Sequence, residues 1–194
     1  MARTLSPERR EKFLNAALAL FVDKGVQATT TAEIAQAAGT AAGTLFLYFP
    51  TKQDLVNALA LQFSKAQTER IHSLIDPASP ARETFAAIWR GSVSWFVEHP
   101  QAFRYILQVR DSGMISEEVV AESNRLFGFY YAAIQKGLQE GSIQAYPVDL
   151  IGGFLYQGVV AMTQYLLTQA DVDRREQTFM LGFDIFWNGI CVRE

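Results

Sequence analysis

Between Thr30 and Leu55 the chain reads T-T-A-E-I-A-Q-A-A-G-T-A-A-G-T-L-F-L-Y-F-P-T-K-Q-D-L, and its stop signals lie so close together that only short helices fit between them. Thr30 followed three residues on by Glu33 is a capping box, and Ile34, Ala35 and Ala38 give the helix it opens one apolar face. Gly39 can take the positive φ that stops it. A second short helix is expected from about Ala41 to Phe49, with Leu45 and Phe49 inward and Ala41, Thr44 and Tyr48 together on the other side. Pro50 ends it, because the residue before a proline is pushed out of the α region, and Thr51 with Asp54 caps the next helix. Short helices about one glycine, joined by such turns, read as a helix-turn-helix, a unit that docks on DNA.

The rest of the chain reads as helix throughout. Phe13, Ala16, Ala17, Leu20 and Phe21 make a stripe at helical spacing in a first helix opened by Ser6-Pro7 and stopped at Lys24-Gly25. From Thr51 to about Ile75, Leu55, Leu59, Phe63 and Ala66 repeat on one face, until Asp76-Pro77-Ala78-Ser79-Pro80 breaks the run. Further helices are expected from Pro80 to Glu98, from Pro100 to about Arg110, and from Ser116 to about Glu140, stopped by Gly141. Pro147 precedes an uncharged helix, and Asp173 with Glu176 opens the last, which runs to about Ile190. No alternating strand pattern of useful length intervenes. The fold is therefore predicted to be all-α with about nine helices: a three-helix head over 1–50, then a helical body over 51–194 whose first helix, 51–75, is the connection.

A formal net charge of -3 by itself argues against a nucleic-acid partner, but the charge is unevenly divided. Residues 1–70 hold eight Lys and Arg against six Asp and Glu, whereas 71–194 hold nine against fourteen, so the phosphate-facing end is the amino-terminal one. Arg3, Arg9, Arg10 and Lys12 flank the first helix, and Lys52 opens the fourth. The single cysteine, Cys191, excludes an intramolecular disulfide and a multi-cysteine zinc site and fits a reducing compartment. With no apolar stretch of the secretory kind behind the basic amino terminus, the expected location is the cytoplasm. Leu150 to Ala170 lacks charge and is long enough to span a bilayer, yet Gln157, Gln164, Gln169, three glycines and the acidic flanks Asp149 and Asp171 speak against a membrane partner. A helix apolar on nearly every side is then covered on nearly every side, by its own body and by a second copy.

Thr30 to Ala35, Ala38-Gly39 and Gly43 to Leu55, led by the helix Phe13 to Lys24, resemble the tetracycline-repressor (TetR) family of bacterial transcription regulators over about the first quarter of the chain. The resemblance implies a homodimer on palindromic double-stranded operator DNA, released by a small-molecule effector bound between helices of the body. It implies a DNA interface of Thr30, Thr31, Thr40, Ala41, Ala42, Thr44, Tyr48 and Lys52. Of these, Thr30, Thr31 and Lys52 would hold phosphates and set register, while Ala41, Ala42, Thr44 and Tyr48 would meet base edges. There are two departures from the family pattern: Ala41 replaces the usual serine near the start of the recognition helix, and Phe46 replaces a tyrosine whose hydroxyl reaches phosphate. Each removes an anchoring hydrogen bond.

The body is rich in rings, most of which a helical bundle needs as core. Trp89, Ser92 and Phe96 on one helix and Phe127, Tyr131 and Ile134 on another are expected to point inward together, with Phe103 between them. Phe63 and Gln67 on the connecting helix face the same region, and Gln157 and Ser92 could orient a ligand in a mostly apolar site. A flat or greasy effector suits this set, although Arg90, Arg104 and Arg125 could pair with an acidic one, so its charge stays open. For the dimer, the last two helices, about Asp149 to Gln169 and Asp173 to Ile190, would join as a four-helix bundle. Gly153 and Gly158 allow close approach, and Phe179, Phe183, Phe186 and Trp187 supply apolar area.

No enzymatic pattern stands up. His72 and His99 belong to no nucleophile elbow, zinc-protease helix or phosphate loop. Glu69-Arg70-Ile71-His72 is half of the ligand repeat of a helical di-iron site, but the other histidine has Phe96 three residues before it, so neither metal nor cofactor is expected. A reading from another class is a helical ligand-binding or protein-interaction module whose head no longer binds DNA. Ala41 and Phe46 favour it, while Thr30, Thr31, Thr44, Tyr48 and Lys52 speak against it.

Overall fold

A computed structural model describes residues 5–110, 112–169 and 172–192, except for the side chains at 172, 173, 174, 176 and 177. Among them are ten helices and no strand: α1 Pro7–Lys24, α2 Thr31–Ala37, α3 Ala42–Tyr48, α4 Lys52–His72, α5 Ala81–Glu98, α6 Pro100–Val109, α7 Glu117–Leu126, α8 Phe129–Gln139, α9 Val148–Thr168 and α10 Val172–Ile190. The all-α expectation therefore holds, with one helix more than expected, because the run from Ser116 to Glu140 is broken at Phe127-Gly128. There the backbone tightens to bonds spanning three residues, Gly128 N–H donating to Arg125 O at 3.2 Å and Tyr130 N–H to Phe127 O at 3.0 Å. A Cβ on Gly128 would stand 3.2 Å from the Arg125 carbonyl oxygen, so glycine relieves this turn. Arg3, Asp171 and the side chains of Asp173 and Glu176 lie outside the described residues.

Packing groups the chain differently from the functional division at residue 50. One compact unit is Met1–Ser64 with Gln101–Ser123, the other Lys65–Pro100 with Asn124–Glu194. In the first, Phe13, Ala17 and Phe21 of α1, Ile34 of α2, Leu45 of α3 and Leu55 and Leu59 of α4 close one core together with Tyr105 and Val109 of α6. The Tyr105 ring stacks on Phe21 (6.2 Å between centroids) and meets Phe63 edge-on at 5.8 Å, while its hydroxyl donates to Val56 O at 2.7 Å. Burial pushes the Tyr105 phenol pKa up. Asn57 of α4 bonds both ways with Ser116, at 3.0 and 3.1 Å. The connecting helix is thus not the only element packed on the head: α6 and the segment after it join the same core.

In the second unit α5 packs against α8, α9 and α10. The centre is Trp89, fully buried, whose ring lies where a Cβ on Gly158 of α9 or Gly182 of α10 would come within 2.9 and 2.7 Å. Its indole N–H donates to Phe179 O at 3.2 Å. Gly91 plays a similar part where α4 meets α5, since a Cβ there would come within 2.9 Å of the Ile71 side chain. By length and composition α9 could cross a membrane, but it buries Ile151, Leu155, Val159 and Leu166 within this unit.

Candidate functional site

The helix-turn-helix is held by short-range hydrogen bonds. Thr30 Oγ1 accepts from Glu33 N–H at 3.2 Å, and the Glu33 carboxylate accepts from Thr30 N–H and hydroxyl at 2.8 and 2.7 Å and pairs with Lys24. Hydrogen bonds from Lys24 and Thr30 hold the Glu33 pKa down to about 2. Gly39 turns the chain at φ 70°, and Thr51 with Asp54 repeats the capping box at the start of α4. Ala41 occupies the N-cap of α3 and supplies no side-chain hydrogen bond.

Two expected DNA contacts are spent elsewhere. The Lys52 ammonium donates to the carbonyl oxygens of Val26, Gln27 and Thr29 at 3.0, 3.3 and 3.0 Å. Its three N–H groups match three acceptors, so Lys52 clamps α4 to the loop after α1 and does not aim at a phosphate. Tyr48 is half-buried: its ring packs on Phe13 at 5.4 Å, and its oxygen accepts from Ser6 N–H at 3.0 Å. Thr40 donates weakly to Ala35 O at 3.4 Å; Thr31, Ala42 and Thr44 are half-exposed, and Thr30 and Ala41 exposed. The side of α3 opposite buried Leu45 is Gly43, Phe46 and Leu47, all exposed. The expected interface leaves out Gly43 and Leu47 and takes Phe46 only as a departure from the family pattern, yet the signal is present: once Leu45 points inward, the positions two before it and one and two after it point away. Basic residues exposed on α1 are Arg9, Arg10, Lys12 and Lys24, the last paired with Glu33, and the Arg10 guanidinium stands 5.2 Å above the Phe49 ring.

The residues expected around the effector divide. Ser92 and Phe96 are buried in the second unit, and Ser92 Oγ lies 3.0 Å from Tyr130 Oη. Phe127 belongs to a cluster with Phe129 and Tyr130, at 6.0 and 5.8 Å. Gln67 is buried in the same unit; Phe63 and Phe103 belong to the first. Three expectations are corrected. Trp89 is pinned between glycines as core, Tyr131 is 55% exposed because the turn at Gly128 puts Tyr130 inward in its place, and Gln157 is exposed on the outer side of α9.

The expected dimer residues need a similar correction. Phe186 and Trp187 are buried within the unit against Phe85, Phe183 is buried 6.2 Å from the Trp89 ring, and Gly158 backs onto Trp89. Phe179 is half-buried and lends its carbonyl oxygen to Trp89. Only Gly153 faces outward. The outward stripe is instead Leu150, Gly153, Phe154, Gln157 and Tyr165 of α9 with Leu181 and Ile185 of α10, none of them charged. Phe154 is 64% and Ile185 78% exposed, while Asp184 beside it is drawn to Arg82 at 3.2 Å.

Residues 13–59 match the family of bacterial regulatory proteins, tetR family, and residues 61–189 match the tetracyclin repressor-like C-terminal domain. The chain belongs to the TetR family. It is 30% identical over 152 residues to the HTH-type transcriptional repressor KstR2 of Rhodococcus jostii strain RHA1, covering 76% of this chain and 74% of that protein. Among solved structures, a putative tetR family transcription regulator from Shewanella sp. PV-4 superposes with TM-score 0.86 at 26% identity, covering 95% of this chain and 99% of that one. FadR from Bacillus subtilis, solved in complex with stearoyl-CoA, shares the fold at TM-score 0.73 and 21% identity, over 93% and 98% of the two chains. This TetR-family chain is a ligand-responsive transcription regulator.

Proposed function

We propose that this TetR-family regulator is a cytoplasmic repressor without catalytic activity, which binds an inverted-repeat operator as a homodimer and leaves it when a large, mostly apolar effector enters the body. The observation that carries the DNA reading is the solvent-facing side of α3, where Gly43, Phe46 and Leu47 stand between Ala42 and Thr44 with no charge to repel a phosphate. Glycine permits close approach, and the apolar side chains, with Ala41, Ala42 and the Thr44 methyl, suit thymine methyl groups. Phosphate contacts come from the exposed basic residues of α1 together with Thr30, Thr31 and Thr40.

A second copy covers the uncharged stripe of α9 and α10, joining the two pairs of helices as a four-helix bundle. Leu150, Phe154, Leu181 and Ile185 carry that contact, because exposed apolar side chains of this size across two adjacent helices lose unfavourable hydration when paired. For the effector, the relatives' names give the direction: one was solved with stearoyl-CoA, and another is a ketosteroid transcriptional regulator. A body with buried rings and no charged residue among its described buried side chains suits such molecules. Gln67, Ser92, Phe96 and Phe127 are its contacts in the second unit.

Selection of bound duplexes from a random pool tests this reading. It should return inverted repeats whose half-sites are centred about 34–36 Å apart, or a multiple of that, and binding should weaken steeply with salt as counterions are released. Recovery of no preferred sequence together with no salt dependence would show a head that does not bind DNA.

A further inference from the structure

Two neighbouring polar side chains of α4 are buried, and one of them has nothing in the protein to bond. Gln67 is 8% exposed and Thr68 6%, and the Thr68 hydroxyl is fully enclosed with no hydrogen-bond partner. Other buried or half-buried helical hydroxyls of the same unit behave differently. Thr84 donates to Pro80 O at 3.2 Å, Thr163 to Val159 O at 2.8 Å, and Ser94 to Arg90 O, each closing onto the carbonyl one turn back. Thr68 makes no such bond, although α4 is regular there. Both residues precede Ile71 by one helical turn, and Ile71 is the side chain that packs on Gly91 of α5, so amide and hydroxyl face the interior of the body.

Buried polar groups are nearly always satisfied, and a hydroxyl left open beside a buried amide marks the place of a missing partner. That partner has to be neutral. The charged residues near it on α4, Lys65, Glu69 and Arg70, are exposed, and no described buried side chain of this unit carries a charge that could balance a carboxylate or an ammonium. The Gln67 amide offers two N–H donors and the Thr68 hydroxyl one more, while both also accept. We propose that the buried end of the effector carries a neutral oxygen, a keto or hydroxyl group, seated on Gln67 and Thr68. This rests on the apolar-effector reading above and narrows it, since a plain hydrocarbon end would leave the Thr68 hydroxyl unpaired.

The oxygen could belong to an acyl chain or to a fused-ring molecule, and two matched pairs of probes separate these sources. One pair is stearoyl-CoA against its terminally hydroxylated counterpart; the other is androstane against androst-4-ene-3,17-dione. Affinities are measured by calorimetry on the full-length protein and on Thr68→Val. In one arm the oxygenated probe should bind roughly tenfold more tightly than its partner, and Thr68→Val should erase that difference while leaving the hydrocarbon's affinity unchanged. Gln67→Leu should act in the same direction. Without any probe, Thr68→Val should melt no lower than the parent protein, because the hydroxyl it removes bonds nothing. Equal binding within both pairs would overturn the proposal alone. A failure of all four probes to bind would overturn the apolar-effector reading and the proposal with it, and a melting point lowered by more than about 3 °C would show that the hydroxyl already has a partner.

Discussion

The head and the body of this regulator are held together by different physics. In the head, polar side chains are spent on nearby backbone: Thr30 with Glu33, Thr51 with Asp54, Lys52 on three loop carbonyls, Tyr48 on Ser6. These bonds are directional, so they fix the attitude of α3, a helix of 7 residues that could not hold its shape alone. In the body the decisive contacts are rings on glycines, Trp89 between Gly158 and Gly182. Packing of this kind fixes volume more than direction. A DNA-reading surface needs the first kind of restraint, and the proposed apolar effector would call for the second.

The contrast breaks hardest at Trp89. Trp89→Ala should cost about 3–5 kcal/mol in urea unfolding, because it leaves a cavity between two glycines that cannot fill it. A stable variant that lost only its effector response would return Trp89 to the ligand site. Next in size, Lys52→Met should lower the unfolding free energy by about 2 kcal/mol through the loss of its charged hydrogen bonds. The slope of operator affinity against salt should stay the same; a slope flatter by about one unit would mean that Lys52 holds a phosphate after all. Smaller and opposite in sign, Ala41→Ser should stabilise by about 1 kcal/mol, since it restores the N-cap hydrogen bond that α3 lacks.

The smallest effect is a pH dependence at Glu33. Its folded pKa is depressed to about 2 by Lys24 and Thr30, so its contribution is complete above the ordinary carboxylate value and is lost as the pH falls from there through about 2. Glu33→Gln should remove that part of the acid sensitivity of the helical circular dichroism signal, and an unchanged acid profile would discount the pairing.

What could be read from the residues alone follows the same division. Capping boxes, Gly39 and Pro50 act over three or four residues, so they are legible without knowing the fold. The body's errors come from elements that are apolar on more than one side. In α10, Phe179, Phe183, Phe186 and Trp187 share one face and Leu181 and Ile185 another; helical periodicity groups them correctly but cannot say which face meets the body. At the turn at Gly128, Tyr130 takes the inward place expected of Tyr131, while Ile134 is buried as expected. Lys52 was misread for a related reason, since its acceptors lie 23 to 26 residues earlier and only the folded loop presents them.

The central claim is a dimer whose outer α9 and α10 stripe holds two DNA-reading heads on one operator. Sedimentation of Ile185→Glu beside the parent protein, alone and with the selected inverted repeat, tests it most directly. The parent should sediment as a dimer at micromolar concentration and load two chains on each repeat. Ile185→Glu should stay folded, since the site is 78% exposed, yet sediment as a monomer and bind the repeat at least tenfold more weakly. A variant that remained dimeric, or a monomeric parent that bound the repeat at full strength, would contradict the account.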